Sequence, residues 1–121
     1  MPHLTLEYTD NLAPHLAPDI LPRLNRALLA SSLFAESDLK SRALLLDQWC
    51  VGVEAAPRAF AHVRVALLSG RPPGAKRALA EAVLAALADA CAPPPGAELQ
   101  LSVEIVDIDA ASYAKEVRNG R

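Results

Sequence analysis

Pro2 lies between Met1 and the alternating segment His3-Leu4-Thr5-Leu6-Glu7-Tyr8. A small second residue normally permits removal of the initiator methionine. That would leave a secondary amine without side-chain flexibility, fixed at the start of a strand. A proline at this position is more often incidental, because chain termini usually lack function. A functional reading therefore needs further groups, and three cations are available. Arg42 opens a later strand-like segment, Lys40 lies two residues earlier on the same face, and Arg71 follows Gly70 just after another such segment. Arginine suits two-point carboxylate binding, whereas lysine offers a point charge. Taken singly, each such charge is more often a solvated surface group, so their position relative to Pro2 decides whether they form an anion site.

Other chemistries find no support in the residues. His3, His15 and His62 are scattered, and none sits in a helical pair with a carboxylate or cysteine at ligand spacing, so no metal is expected. Cys50 and Cys91 are isolated from one another, which suggests neither a disulfide framework nor a zinc knuckle; both are expected to be reduced. There is no G-x-S-x-G elbow, no phosphate-cradling loop and no G-x-G-x-x-G. Twelve Lys and Arg against 14 Asp and Glu give a formal charge of −2 with no basic block, which removes the usual electrostatic source of nucleic-acid binding. Apolar stretches such as 82–88 fall short of the about 20 residues of a membrane-spanning helix. The first residues lack the basic and then apolar pattern of a secretory signal, so a cytoplasmic location is expected. His62, between Phe60 and Arg64 on a strand pattern, fits a structural or subunit-contact histidine better than a catalyst. Glu7 and Asp10 are expected to bond polar neighbours.

These groups need a scaffold, and 121 residues, 52% of them apolar, suit one compact domain. Residues 2–8 have the period of two expected of a strand with one buried face. Ile20, Leu21, Leu24, Ala27, Leu28 and Leu33 recur at helical spacing, with Asp19 placed to help the helix start and Pro22 tolerable in its first turn. Residues 42–53 and 59–68 are rich in aliphatic, aromatic and β-branched types and predict two strands. A helix is predicted over about 73–91, with Leu79, Val83, Leu87 and Ala90 on one face and Pro93-Pro94-Pro95-Gly96 as its stop. Residues 99–108 return to strand alternation before a short polar tail. The order is strand, helix, strand, taken twice: two β-α-β halves, about 1–55 and 56–109. This is an α+β fold with one four-stranded sheet. Right-handed crossovers place both helices on one face, and subunit association is the expected cover for the other.

The segments PHLTLEYTDN, DLKSRALLLDQW, AFAHVRVALLSGR and LQLSVEIVDID together resemble the 5-carboxymethyl-2-hydroxymuconate Δ-isomerase family of the tautomerase superfamily, and the resemblance runs through nearly the whole chain. It implies the doubled β-α-β fold, a homotrimer, no cofactor, and an amino-terminal proline acting as general acid and base. Transferred by position, Pro2 would be the base and Arg71 would bind a substrate carboxylate or polarise the 2-oxo group. Arg42 would do the complementary task, or Lys40 in its place. Trp49 and Phe60 could form an apolar wall that lowers the proline pKa, although aromatics in strands are usually core or interface residues. The implied substrate is a dicarboxylic or tricarboxylic 2-hydroxymuconate from aromatic-compound catabolism, such as homoprotocatechuate degradation. Phenylpyruvate-like enols, or a non-catalytic oligomeric binding module, are the alternatives. The catalytic reading requires Met1 to be removed, because an acylated Pro2 nitrogen has no basicity.

Overall fold

The computed structural model describes residues 1–120. The alternating amino-terminal segment forms β1 (His3–Thr9), followed by α1 (Ile20–Ala30), β2 (Lys40–Leu46), β3 (Arg58–Leu68), α2 (Pro73–Asp89) and β4 (Glu98–Ile108). Short 3-10 turns occupy Asp10–His15, Glu36–Asp38 and Ala110–Ser112. The sheet order is β2-β1-β3-β4. β1 and β2 run parallel, β3 and β4 run parallel, and the two halves join through the antiparallel pair of β1 and β3. Each half is thus a β-α-β unit, and the first strand of each half lies at the centre.

Leu4 and Leu6 of β1, together with Ala61, Val63, Val65 and Leu67 of β3, point to one side and are fully buried. Leu24 and Leu28 of α1 and Leu79, Val83 and Leu87 of α2 close over them in a single core, so both helices cover the same face. The alternate residues face the other side: His3, Thr5 and Glu7 on β1, Lys40 and Arg42 on β2, and His62 and Arg64 on β3, in register with one another. No helix among the described residues is long and apolar enough to cross a membrane.

Four local expectations are corrected. The strand predicted over 42–53 begins earlier, at Lys40, and ends at Leu46. Beyond it the indole of Trp49 bonds to Asp10 and Gly52 adopts φ +67, a left-handed conformation that a strand cannot hold. Arg42 is therefore the third residue of its strand rather than the first. Helix α1 stops before Leu33: the Ser31 hydroxyl donates to the Leu28 carbonyl at 2.6 Å, and Ser32 follows with φ +62, which reverses the chain. At the other end of α1, Asp19 makes no capping bond and pairs instead with Arg23 one turn on, at 2.8 Å. Helix α2 ends at Asp89, two residues before the predicted limit, and Cys91 bridges to Leu16.

Candidate active site

The antiparallel pairing of β1 with β3 brings the end of β3 beside the start of β1, and the parallel pairing brings the start of β2 there too. Pro2 sits at this junction with its side chain fully buried, and its carbonyl accepts a bond from the Lys40 backbone N–H at 3.3 Å. Two residues beyond β3, Gly70 takes φ +116, a conformation only glycine adopts without strain, and the chain then presents Arg71. The Arg71 guanidinium donates to the Leu68 and Leu33 carbonyls, each at 3.2 Å, and lies 5.1 Å from the centre of the Phe34 ring. Two carbonyls and an aromatic face hold the fork in one orientation, which lowers the entropy lost when it grips a carboxylate. The turn at Ser32 that ends α1 immediately precedes the two residues that form this clamp.

The amine at the chain start lies 3.8 Å from Asp38 Oδ2. Its pKa is lowered from 8.0, first by burial; Asp38 opposes this, while Arg71, Lys115 and Lys40 add to it. With Met1 attached, this amine stands one residue outward from the Pro2 nitrogen. Arg42 is held along β1 by His3 and Thr5, with Nη2 2.9 Å from His3 Nδ1 and Nε 3.4 Å from Thr5 Oγ1. A guanidinium only donates, so His3 Nδ1 must accept and the imidazole proton sits on Nε2, which faces the Tyr113 hydroxyl at 3.2 Å.

The neutral form of His3 is required for that bond, and its pKa is lowered from 6.5 by burial first and then by Arg42, Lys40, the amino terminus and Lys115. A depressed folded-state pKa means that the bond's contribution to stability is present above the unfolded value of 6.5 and is lost as pH falls through the lower folded value. Thermal unfolding of the protein and its His3→Phe variant should therefore differ above that pH and converge as the medium is acidified. A gap that stays constant with pH would show that His3 does not orient Arg42.

Trp49 and Phe60 are not brought to Pro2 within the chain. Their rings meet edge to face at 6.5 Å, and the indole Nε1 donates to Asp10 Oδ1 at 2.9 Å, all at the far end of β1. Thr9, which bonds Phe60, lies seven positions along the chain from Pro2, a span of roughly 23 Å. The wall expected of these two aromatics is thus absent from the amine of the same chain, where Phe34 is the neighbouring ring of Arg71. Asp10 does bond a polar neighbour, as expected. His62 links β3 to β4, with Nδ1 2.7 Å from Ser102 Oγ and Nε2 in close contact with Glu104, whose carboxyl this bond holds below its usual range. Sequence reasoning missed Phe34, Asp38, Tyr113 and Lys115, because turns and a polar tail carry no periodicity that reveals where they fold back.

A four-stranded sheet of doubled β-α-β units, with an amine at the head of its first strand and cations around it, is the tautomerase-like fold that the sequence resemblance implies. The chain belongs to the 5-carboxymethyl-2-hydroxymuconate isomerase family, whose sequence profile matches residues 2–119. It is similar to a crystal structure of a 5-carboxymethyl-2-hydroxymuconate isomerase from Deinococcus radiodurans R1, at 35% identity over 97% of this chain and 90% of that one, with a TM-score of 0.86. A 5-carboxymethyl-2-hydroxymuconate delta-isomerase shares the fold at 21% identity, over 98% of this chain and 89% of that one, with a TM-score of 0.75. A fused 4-OT wild-type symmetric trimer shares it at 22% identity, over 98% and 94%, with a TM-score of 0.72. Among curated proteins, no relative matches this sequence.

Proposed function

We propose that the protein, after loss of Met1, converts 5-carboxymethyl-2-hydroxymuconate to its 2-oxo isomer by proton transfer through Pro2, without a cofactor, as a homotrimer in aromatic-compound catabolism. The observation that carries this reading is the junction at the head of β1, where Pro2 is buried and the Met1 amine one residue outward is partly desolvated in the field of Arg71, Lys115, Lys40 and the Asp38 carboxylate. Burial and the same cations disfavour the charged form of a Pro2 amine freed at this place, which favours a neutral base. The neutral Pro2 nitrogen takes the proton of the 2-hydroxyl group. The electron pair moves through the conjugated system, and the ammonium returns the proton to one of its carbons. No oxidant or reductant is needed.

Arg71 binds the carboxylate next to the reacting oxygen, where negative charge develops, and stabilises the dienolate more than the ground state. Lys40 supports it as the second cation, because it acts on the amine; Arg42, tied to His3 and Thr5, holds a more distant part of the substrate. Trp49 and Phe60 reach a substrate only in a site completed by a neighbouring copy, since they lie at the other end of their own β1. The trimeric 4-OT relative supports this assembly.

Intact mass of the purified protein and, on the same sample, ultraviolet absorbance of 5-carboxymethyl-2-hydroxymuconate provide the test. The expected result is a mass lacking one methionine together with rapid loss of the dienol band. Loss of Met1 without turnover would refute the assigned substrate.

A further inference from the structure

The carboxy-terminal segment is a built part of this site. Asp109 accepts from the Ala111 backbone N–H at 3.3 Å and from the Ser112 hydroxyl at 3.0 Å, and the Ala110 N–H is tied to Ser69 Oγ at 3.3 Å. This turn directs the chain back to the start of β1. Tyr113 packs its ring edge to face against His3 at 6.5 Å, and Lys115 Nζ reaches Asp38 Oδ1 at 2.8 Å. Asp38 is the same carboxylate that faces the terminal amine. A cavity of about 570 Å³ opens between these elements, lined by His3, Asp38, Lys40, Tyr113, Lys115 and Arg118 among others. Its volume lies within the range of small-molecule sites.

Three of those side chains are cations. Arg118 is paired within the tail to Glu116, and the Lys40 ammonium donates to the Asp38 backbone carbonyl at 3.1 Å. Among the described residues Lys115 pairs with the carboxylate of Asp38 alone, and its side chain, which lines the cavity, remains 28% exposed. An anion entering the cavity can replace Asp38 at Lys115 without uncovering a buried charge.

We propose that Lys115 is a specificity-determining residue that binds a substrate carboxylate, exchanging Asp38 for it, so that the tail selects substrates with a third carboxylate. This rests on the proposed activity. The family substrate offers such a group in its carboxymethyl arm, and Arg71 with Lys40 or Arg42 accounts for only two of its three carboxylates. Tyr113, anchored on His3, sets the height of the tail above the cavity and acts as a positioning residue.

The full-length protein, Lys115→Ala and Lys115→Arg would be compared on 5-carboxymethyl-2-hydroxymuconate and on 2-hydroxymuconate, which lacks the carboxymethyl arm. Lys115→Ala should raise KM for the first substrate about tenfold or more and for the second by much less, with recovery in Lys115→Arg. Equal changes for both substrates, or none, would overturn the proposal. Calorimetric binding of tricarballylate and glutarate, non-reacting probes with three and two carboxylates, gives a readout independent of turnover. Lys115→Ala should weaken tricarballylate about tenfold and glutarate far less, and identical tricarballylate affinity in the two proteins would refute the assignment. An enzyme that binds tricarballylate through Lys115 but turns over neither muconate would refute the proposed activity and leave this contact standing.

Discussion

Pro2→Ala should lower kcat on 5-carboxymethyl-2-hydroxymuconate by about 10²–10⁴, the range that a positioned acid–base group contributes. Alanine at position two still permits removal of Met1, so an amine remains. It is a primary amine, free to rotate, and no longer locked at the head of β1. The Pro2 ring is fully buried but lies at the end of the core, so the sheet and the proposed trimer should survive the change. Circular dichroism and light scattering on the variant would separate lost chemistry from lost structure. A folded Pro2→Ala protein with wild-type kcat would exclude proline as the base.

The pH profile tests the same group from another side. The Met1 amine, one residue outward from Pro2, is held below 8.0 by burial and by Arg71, Lys115 and Lys40, with Asp38 acting in the opposite direction, and the freed Pro2 amine is expected to meet the same charges. The base must be neutral, so kcat/KM should fall as pH drops through the lowered pKa. Removing the opposing carboxylate in Asp38→Asn lowers the amine pKa further, and the acid limb should move to lower pH. An acid limb that stays in place would mean that another group titrates.

Arg71→Ala should reduce kcat/KM by about 10²–10³, with a rise in KM of at least about tenfold, because a charge-assisted fork to a carboxylate and to the developing dienolate is lost together. The substitution also leaves the Leu33 and Leu68 carbonyls and the face of Phe34 without their cation, so some loss of stability will accompany it. Arg71→Lys separates the two effects. It keeps the charge but not the planar fork, and should recover only part of the rate. Steady-state kinetics of both variants, with urea unfolding in parallel, would check this. Full activity in Arg71→Lys would show that a point charge suffices and that the clamp serves the fold alone.

The sequence by itself determined the fold class, the order of elements and the single core. Period-two runs such as His3 to Tyr8 and the helical spacing of Leu79, Val83 and Leu87 are local signals of burial, and each is satisfied by one face of its own element. It also identified Pro2 and Arg71 as groups able to do chemistry, since amine and guanidinium properties belong to the residue type. Register, turns and the return of the tail were settled only in the tertiary structure. Strand alternation in residues 42–53 could not show that the Trp49 indole would bond to Asp10 and draw the chain out of the sheet. Nothing in the polar tail announced that Lys115 would meet Asp38, 77 positions away. The reason is physical. Periodicity records which side of an element is buried, whereas a site depends on which elements end beside one another, and that follows from strand pairing and from loop bonds made across the whole chain. The same pairing decided against Trp49 and Phe60 as neighbours of Pro2 in the same chain: β1 is long enough to hold the aromatic pair and the amine at its two opposite ends.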